Sequence, residues 1–273
     1  MRNVMLVDNG SSRAASTLNL RRLAAALAER FGEDVYPVSL LHSSKVSSAE
    51  LNGRPADTFE PFLRRQVASG VHDFLLLPAF FGVSGALAGF VPDKAEAVRS
   101  ELGPFDLRIA DVLYPLPDGE PLLAQILFDN IRLAADARGL TPDRVVLVDH
   151  GSPLPQVTQV RRLLAAQLKD LLGARMTLTE AVMERREGRE YDFNGDLLED
   201  VLSRLAQEDQ GRPVILSMLF LSAGRHAGAG GLPGAGPVVR LRPLRPRRVR
   251  HVLRPPGGWA RVRLGLEQGR EPR

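Results

Sequence analysis

The chain lacks cysteine altogether. Disulfides, thiolate metal sites and cysteine nucleophiles are therefore excluded, and a reducing cytoplasm is the plain expectation. Long apolar runs are lacking as well. The opening Met1-Arg2-Asn3-Val4-Met5-Leu6-Val7-Asp8 is too short an apolar stretch for a signal peptide. Phe74–Phe81 and Val214–Ala223 are the most apolar segments; both are far shorter than a membrane span and read as buried strands. A phosphate-cradling P-loop is missing, and Gly228-Ala229-Gly230-Gly231 does not open a helix as a dinucleotide fingerprint would. Gly82-Val83-Ser84-Gly85-Ala86 approaches a nucleophile elbow, but its last glycine is absent and no histidine is well placed in that half, which argues against a serine hydrolase.

Charge is unevenly spread over the 273 residues. Residues 232–273 hold eleven arginines, seven prolines, six glycines, no lysine and two acidic residues, a net of +9. The other 231 residues hold 25 basic and 30 acidic side chains, a net of −5. The net charge of +4 thus describes the tail, and it supports no nucleic-acid partner for the body. Residues 232–273 show no helical period; they read as a disordered basic tail or as off-frame translation beginning near Gly231.

What is present is a repeat. Val7-Asp8-Asn9-Gly10-Ser11 returns as Val148-Asp149-His150-Gly151-Ser152, each closing an apolar run, Val4–Val7 and Val145–Val148. A helical pattern follows each, Thr17–Phe31 and Val157–Leu172, with Arg21-Arg22-Leu23 and Arg161-Arg162-Leu163 inside them and Gly32 and Gly173 after them. Helical segments near Thr58–Ser69 and Leu197–Gln207 then precede the strands Phe74–Phe81 and Val214–Leu221. The first half continues with a helix near Asp93–Leu102, a strand near Leu107–Leu113 and a helix near Leu122–Arg138, and Gly139-Leu140-Thr141-Pro142 links the halves. Strands alternating with helices predict an α/β fold: parallel sheets flanked by helices, duplicated at an offset near 140 residues. Three segments follow: residues 1–139, residues 140–231 carrying the site but incomplete, and the tail 232–273.

Ligands of parallel sheets lie outside the carboxyl ends of the strands. His150 stands at such an end; with glycine beside it, it can bind a divalent metal or take a proton, or simply cap backbone groups. His226, in Leu219-Phe220-Leu221-Ser222-Ala223-Gly224-Arg225-His226, also follows a buried strand, so the two imidazoles can face one ligand. Imidazole suits cobalt, nickel and iron, and two histidines without thiolate favour an open, transient site over a structural zinc. Glu184 follows the strand Met176–Ala181 and can complete the site or accept a proton; otherwise it belongs to a solvated charge run. Arg185, Arg186, Arg189 and Arg225 are candidate partners for an anionic ligand.

A strand ending in His150-Gly151-Ser152, the mid-domain Glu184, and a second strand ending in Phe220-Leu221-Ser222-Ala223-Gly224-Arg225-His226 resemble the CbiX-type sirohydrochlorin chelatases over residues 3–231. The resemblance implies two similar chelatase-like, Rossmann-like three-layer domains with a cleft between them. It implies insertion of cobalt or ferrous iron into sirohydrochlorin, on the way to cobalamin or siroheme, by a cytoplasmic enzyme with no cofactor beyond the substrate metal. His150, His226 and Glu184 are then the metal-binding and catalytic residues. Arg185, Arg225 and Ser152 are then tetrapyrrole contacts. No membrane or nucleic-acid partner is implied. A non-catalytic tetrapyrrole or metal carrier, or an inactive paralogue, is the rival reading. The first half departs from the pattern: Asn9 stands where the histidine would be, and His42 falls near the position of Glu184, so the first half reads as a scaffold without a metal site.

Overall fold

The computed structural model describes residues 2–141 and 143–221, together with the backbone of two short strands, Val238–Val239 and Ala260–Arg261. Arg225 and His226 lie outside the described residues, as does all of the tail 232–273, on which the expectations of disorder or a frameshift rest, apart from those two strands. The chain is an α/β protein with two compact units.

The first unit runs to Glu120, joined by Leu221. Its elements are β1 (Arg2–Asp8), α1 (Ala14–Phe31), β2 (Val35–Ser39), β3 (Asp57–Thr58), α2 (Phe59–Ala68), β4 (Asp73–Pro78), α3 (Val91–Leu102) and β5 (Asp106–Ile109). The sheet order is β3-β2-β1-β4-β5, every pair parallel. β1 is central, and its run Asn3–Val7 is buried on both faces, as a parallel strand between two helical layers must be. Alternation sorts the layers. Met5 and Val7 join Val38, Phe74 and Leu76 under Phe59, Phe62 and Leu63 of α2 and Val91, Ala95 and Val98 of α3. Val4, Leu6 and Val35 pack instead on Leu20 and Ala24 of α1.

The second unit begins at Pro121. It contains α4 (Pro121–Asp136), β6 (Arg144–Asp149), α5 (Pro155–Leu172), β7 (Thr177–Val182), β8 (Glu184–Arg185), a 3-10 turn over Arg189–Asn194, α6 (Leu198–Glu208) and β9 (Val214–Met218). β7-β6-β9 is parallel throughout and repeats the β2-β1-β4 order of the first unit. The short strands β10 (Val238–Val239) and β11 (Ala260–Arg261) add antiparallel pairs to β9 and β8. Val146, Val148, Ala181 and Leu216 form a core with Leu198, Val201 and Leu205 of α6.

Three expectations shift. The segment Phe74–Phe81 leaves the strand at Pro78, which has no amide hydrogen to extend the ladder, and the segment near Leu107–Leu113 leaves it at Ile109. The two following loops still meet, with the Leu113 amide donating to the Phe80 carbonyl at 2.8 Å. The compact units divide at Glu120/Pro121 rather than at residue 139, because α4 packs on α5 and β9 and buries Ala124, Leu127 and Ile131 there. Finally, α1 and α5 each have 18 residues, and their bounds coincide at the offset of the Asp8/Asp149 pair, so Arg161 corresponds to Leu20 and Arg162 to Arg21. The Arg-Arg-Leu repeat is thus one residue out of step with the strand-end repeat.

Candidate metal centre

The site grows from the end of β6. Beyond the last strand residue the ladder continues into the loop: the Met183 amide donates to the Asp149 carbonyl at 2.9 Å and the Glu184 amide to the His150 carbonyl at 3.1 Å. This close approach needs glycine at 151. Gly151 has φ +89°, and a β-carbon there would sit 1.9 Å from the Glu184 carbonyl oxygen. The backbone therefore places His150 and Glu184 side by side at neighbouring strand ends.

Their side chains meet. His150 Nδ1 lies 3.3 Å from Glu184 Oε1; the imidazole is 55% exposed and the carboxylate 15%. Phe220 flanks the imidazole, with ring centroids 6.5 Å apart. Two ligand atoms at that separation, each with a bond of about 2.1 Å, subtend roughly 100° at a shared ion, between the octahedral and tetrahedral angles. The pair can hold one divalent ion, or the carboxylate can orient the ring so that its other nitrogen acts as ligand or base. Among the described residues no group of three or more such side chains surrounds a metal position.

Beneath the pair lies a buried polar network that sequence reading did not identify. The Arg161 side chain is 2% exposed. Its Nη1 donates to Asp149 Oδ1 at 2.9 Å, its Nε to Glu180 Oε2 at 3.0 Å and its Nη2 to the Asn194 carbonyl at 2.7 Å. Asp149 Oδ1 also accepts the Gly151 amide at 3.0 Å, clamping the turn that carries His150. Burial pushes the Asp149 carboxyl up from its usual range, opposed by the Arg161 charge and by the Gly151 amide. Asn194, fully buried, accepts from the Ser152 amide at 3.0 Å and donates to the Ser152 carbonyl at 2.9 Å. The legible signal was a charged residue on the apolar stripe of α5, in line with Thr158, Leu164 and Ala165, all buried.

The remaining predicted residues fall as follows. Ser152 is buried, and its hydroxyl accepts the Leu154 amide at 3.1 Å, at the start of α5. Arg185 is partly exposed and donates to the Gly195 carbonyl at 3.1 Å. Arg186 stacks over Tyr191, 5.6 Å from its ring centroid.

The first unit has the same backbone and different side chains. The Leu40 amide donates to the Asp8 carbonyl and the Leu41 amide to the Asn9 carbonyl, and Gly10, at φ +81°, would place a β-carbon against the Leu41 carbonyl. Leu41, not His42, is therefore the counterpart of Glu184; His42 follows it with φ 66°. With Leu20 in place of Arg161, Asp8 Oδ1 is buried without a hydrogen-bond partner; Thr17 Oγ1 is also buried without one, whereas its counterpart Thr158 bonds to Asn194 Oδ1. Burial raises the Asp8 carboxyl above its ordinary range, against the Ser39 hydroxyl and the Gly10 amide.

No protein-family model and no curated protein matches the chain. Solved structures do. SirB from Bacillus subtilis with Fe3+ superposes with a TM-score of 0.56 at 12% identity, over 81% of this chain and 77% of that chain. The sirohydrochlorin chelatase SirB from Bacillus subtilis subspecies spizizenii in complex with cobalt gives 0.52 at 12% identity, over 81% and 75%. CbiX, described as the terminal enzyme for biosynthesis of siroheme in denitrifying bacteria, gives 0.50 at 18% identity, over 81% and 80%. The chain has the chelatase-like α/β fold.

Proposed function

We propose that the chain belongs to the CbiX-type sirohydrochlorin chelatases and inserts a divalent metal, cobalt or ferrous iron, into sirohydrochlorin as a cytoplasmic enzyme. The observation that carries this reading is the placement of His150, just past the end of β6, beside Glu184, at the start of β8 two residues past β7, on a fold shared with chelatases. Insertion exchanges one divalent cation for two pyrrole protons. It needs a site that holds the metal loosely and groups that take the protons. An imidazole and a carboxylate 3.3 Å apart, with the ring more than half exposed, supply both. His226 is the second imidazole of the proposal. Arginines, with Arg185, Arg186 and Arg225 as candidates, pair with the carboxylates of the macrocycle, since guanidinium matches their geometry. Ser152 serves indirectly, through the turn it helps to fix. The reaction uses no cofactor beyond the substrate metal, and the imidazole–carboxylate pair accepts both metals.

The test is direct. Purified protein is mixed with sirohydrochlorin and Co2+, and the absorbance change of the macrocycle is followed beside His150→Ala. A wild-type rate above the uncatalysed one, lost in the variant, supports catalysis. Equal rates would favour a tetrapyrrole or metal carrier, or an inactive paralogue.

A further inference from the structure

The two units of this chain form an internal comparison. At one buried position of the helix that follows the central strand, the second unit carries Arg161 in α5 and the first carries Leu20 in α1, 3% exposed. The first unit builds the same parallel β-α-β packing with leucine there, so the fold does not require the guanidinium. A buried ion pair is a poor way to stabilise a core: taking both charges out of water costs several kcal/mol, and an apolar replacement of similar volume is often as stable or more so. Yet Arg161 sits under four bonds, to Asp149, Glu180, the Ala181 carbonyl and the Asn194 carbonyl. These partners belong to the end of β6, to β7 and to the 3-10 turn; β6 and β7 lead directly into His150 and Glu184. The unit with leucine carries Asn9 and Leu41 at the positions of those two residues.

We propose that Arg161 is a positioning residue of the metal site, holding the Asp149–Gly151 turn and β7 in the register that brings His150 and Glu184 to one ion. The proposal rests on the reading of that pair as a metal site. Wild-type full-length chain, Arg161→Leu, Arg161→Lys and Asp149→Asn are titrated with Co2+ alone, following the visible absorption of the bound ion, with circular dichroism and a thermal midpoint for each. We expect Co2+ binding to weaken about 10–100-fold in Arg161→Leu, the usual effect of losing a group that orients metal ligands. The cobalt band shifts, and Arg161→Lys recovers part of both. If Arg161→Leu does not fold, Arg161→Leu/Asp149→Asn, compared with Asp149→Asn, gives the same readout without the uncompensated Asp149 charge. A folded leucine variant with wild-type affinity and band overturns the positioning role while leaving the metal site standing. Wild-type protein that binds no Co2+ refutes the metal site itself, and the positioning role with it.

Discussion

Replacing Gly151 by alanine perturbs the point on which the site geometry turns. Two terms add. A non-glycine residue in the left-handed region costs about 1–2 kcal/mol, and Gly151 sits at φ +89°. The new methyl would also lie 1.9 Å from the Glu184 carbonyl oxygen, so one strand end must move. That movement strains the Glu184-to-His150 and Met183-to-Asp149 hydrogen bonds, each worth about 1 kcal/mol net. The sum is about 2–4 kcal/mol, or roughly 10–20 °C in Tm for a unit of about 100 residues. Gly32→Ala is the control: at φ 69° and ψ 21° it is in the left-handed region, but no atom lies within 4 Å of the added carbon, so only the conformational term of about 1–2 kcal/mol applies. Thermal unfolding by circular dichroism measures both, and a Co2+ titration of Gly151→Ala reads the displacement of Glu184. Equal losses of Tm in the two variants would refute the close approach of the strand ends.

Further outcomes follow from the same geometry. Asp8 has a carboxyl raised by burial, so its folded-state pKa lies above the unfolded value of 3.8. Its ionisation therefore removes stability as pH rises from about 4 through the folded pKa, and none is lost below that range. Asp8→Asn flattens this part of the stability profile measured by urea unfolding between pH 3 and 7; an unchanged profile counts against the buried charge. Leu164→Ala, at a fully buried position of α5, costs about 2–5 kcal/mol in the same assay, and a loss under 1 kcal/mol contradicts the packing. Asn9→His with Leu41→Glu places the metal pair in the first unit and adds a weak second equivalent of bound Co2+, whereas Asn9→His with His42→Glu does not. The reverse result contradicts the register that pairs Leu41 with Glu184.

Much of the fold was legible because apolar periodicity and glycine stops report directly on buried strands and helices. The repeated Val-Asp-x-Gly-Ser placed both β1 and β6, and with them His150. The partnership of His150 with Glu184 was legible only as two strand ends, since the spacing of a loop does not reveal how far the backbone carries a side chain. His42 shows the same limit: it lies near the position of Glu184 in the sequence, and the backbone hydrogen bonds put Leu41 there instead. Arg161 was hidden by its neighbour. Two adjacent arginines match the pair at Arg21 and Arg22 when slid by one residue, and only the packing of α5 distinguishes the buried one from the exposed one. The place of α4 was hidden too, because an amphipathic helix next to a linker can pack on either side, and the sequence does not say which apolar face is the nearer.

The central claim is that His150 and Glu184 bind one metal ion. Crystals of the full-length chain soaked with Co2+, measured at the cobalt absorption edge, test it most directly. The account predicts an anomalous peak about 2 Å from an imidazole nitrogen of His150 and from a carboxylate oxygen of Glu184. A peak bound elsewhere, or an imidazole and carboxylate left without cobalt at millimolar concentration, would contradict it.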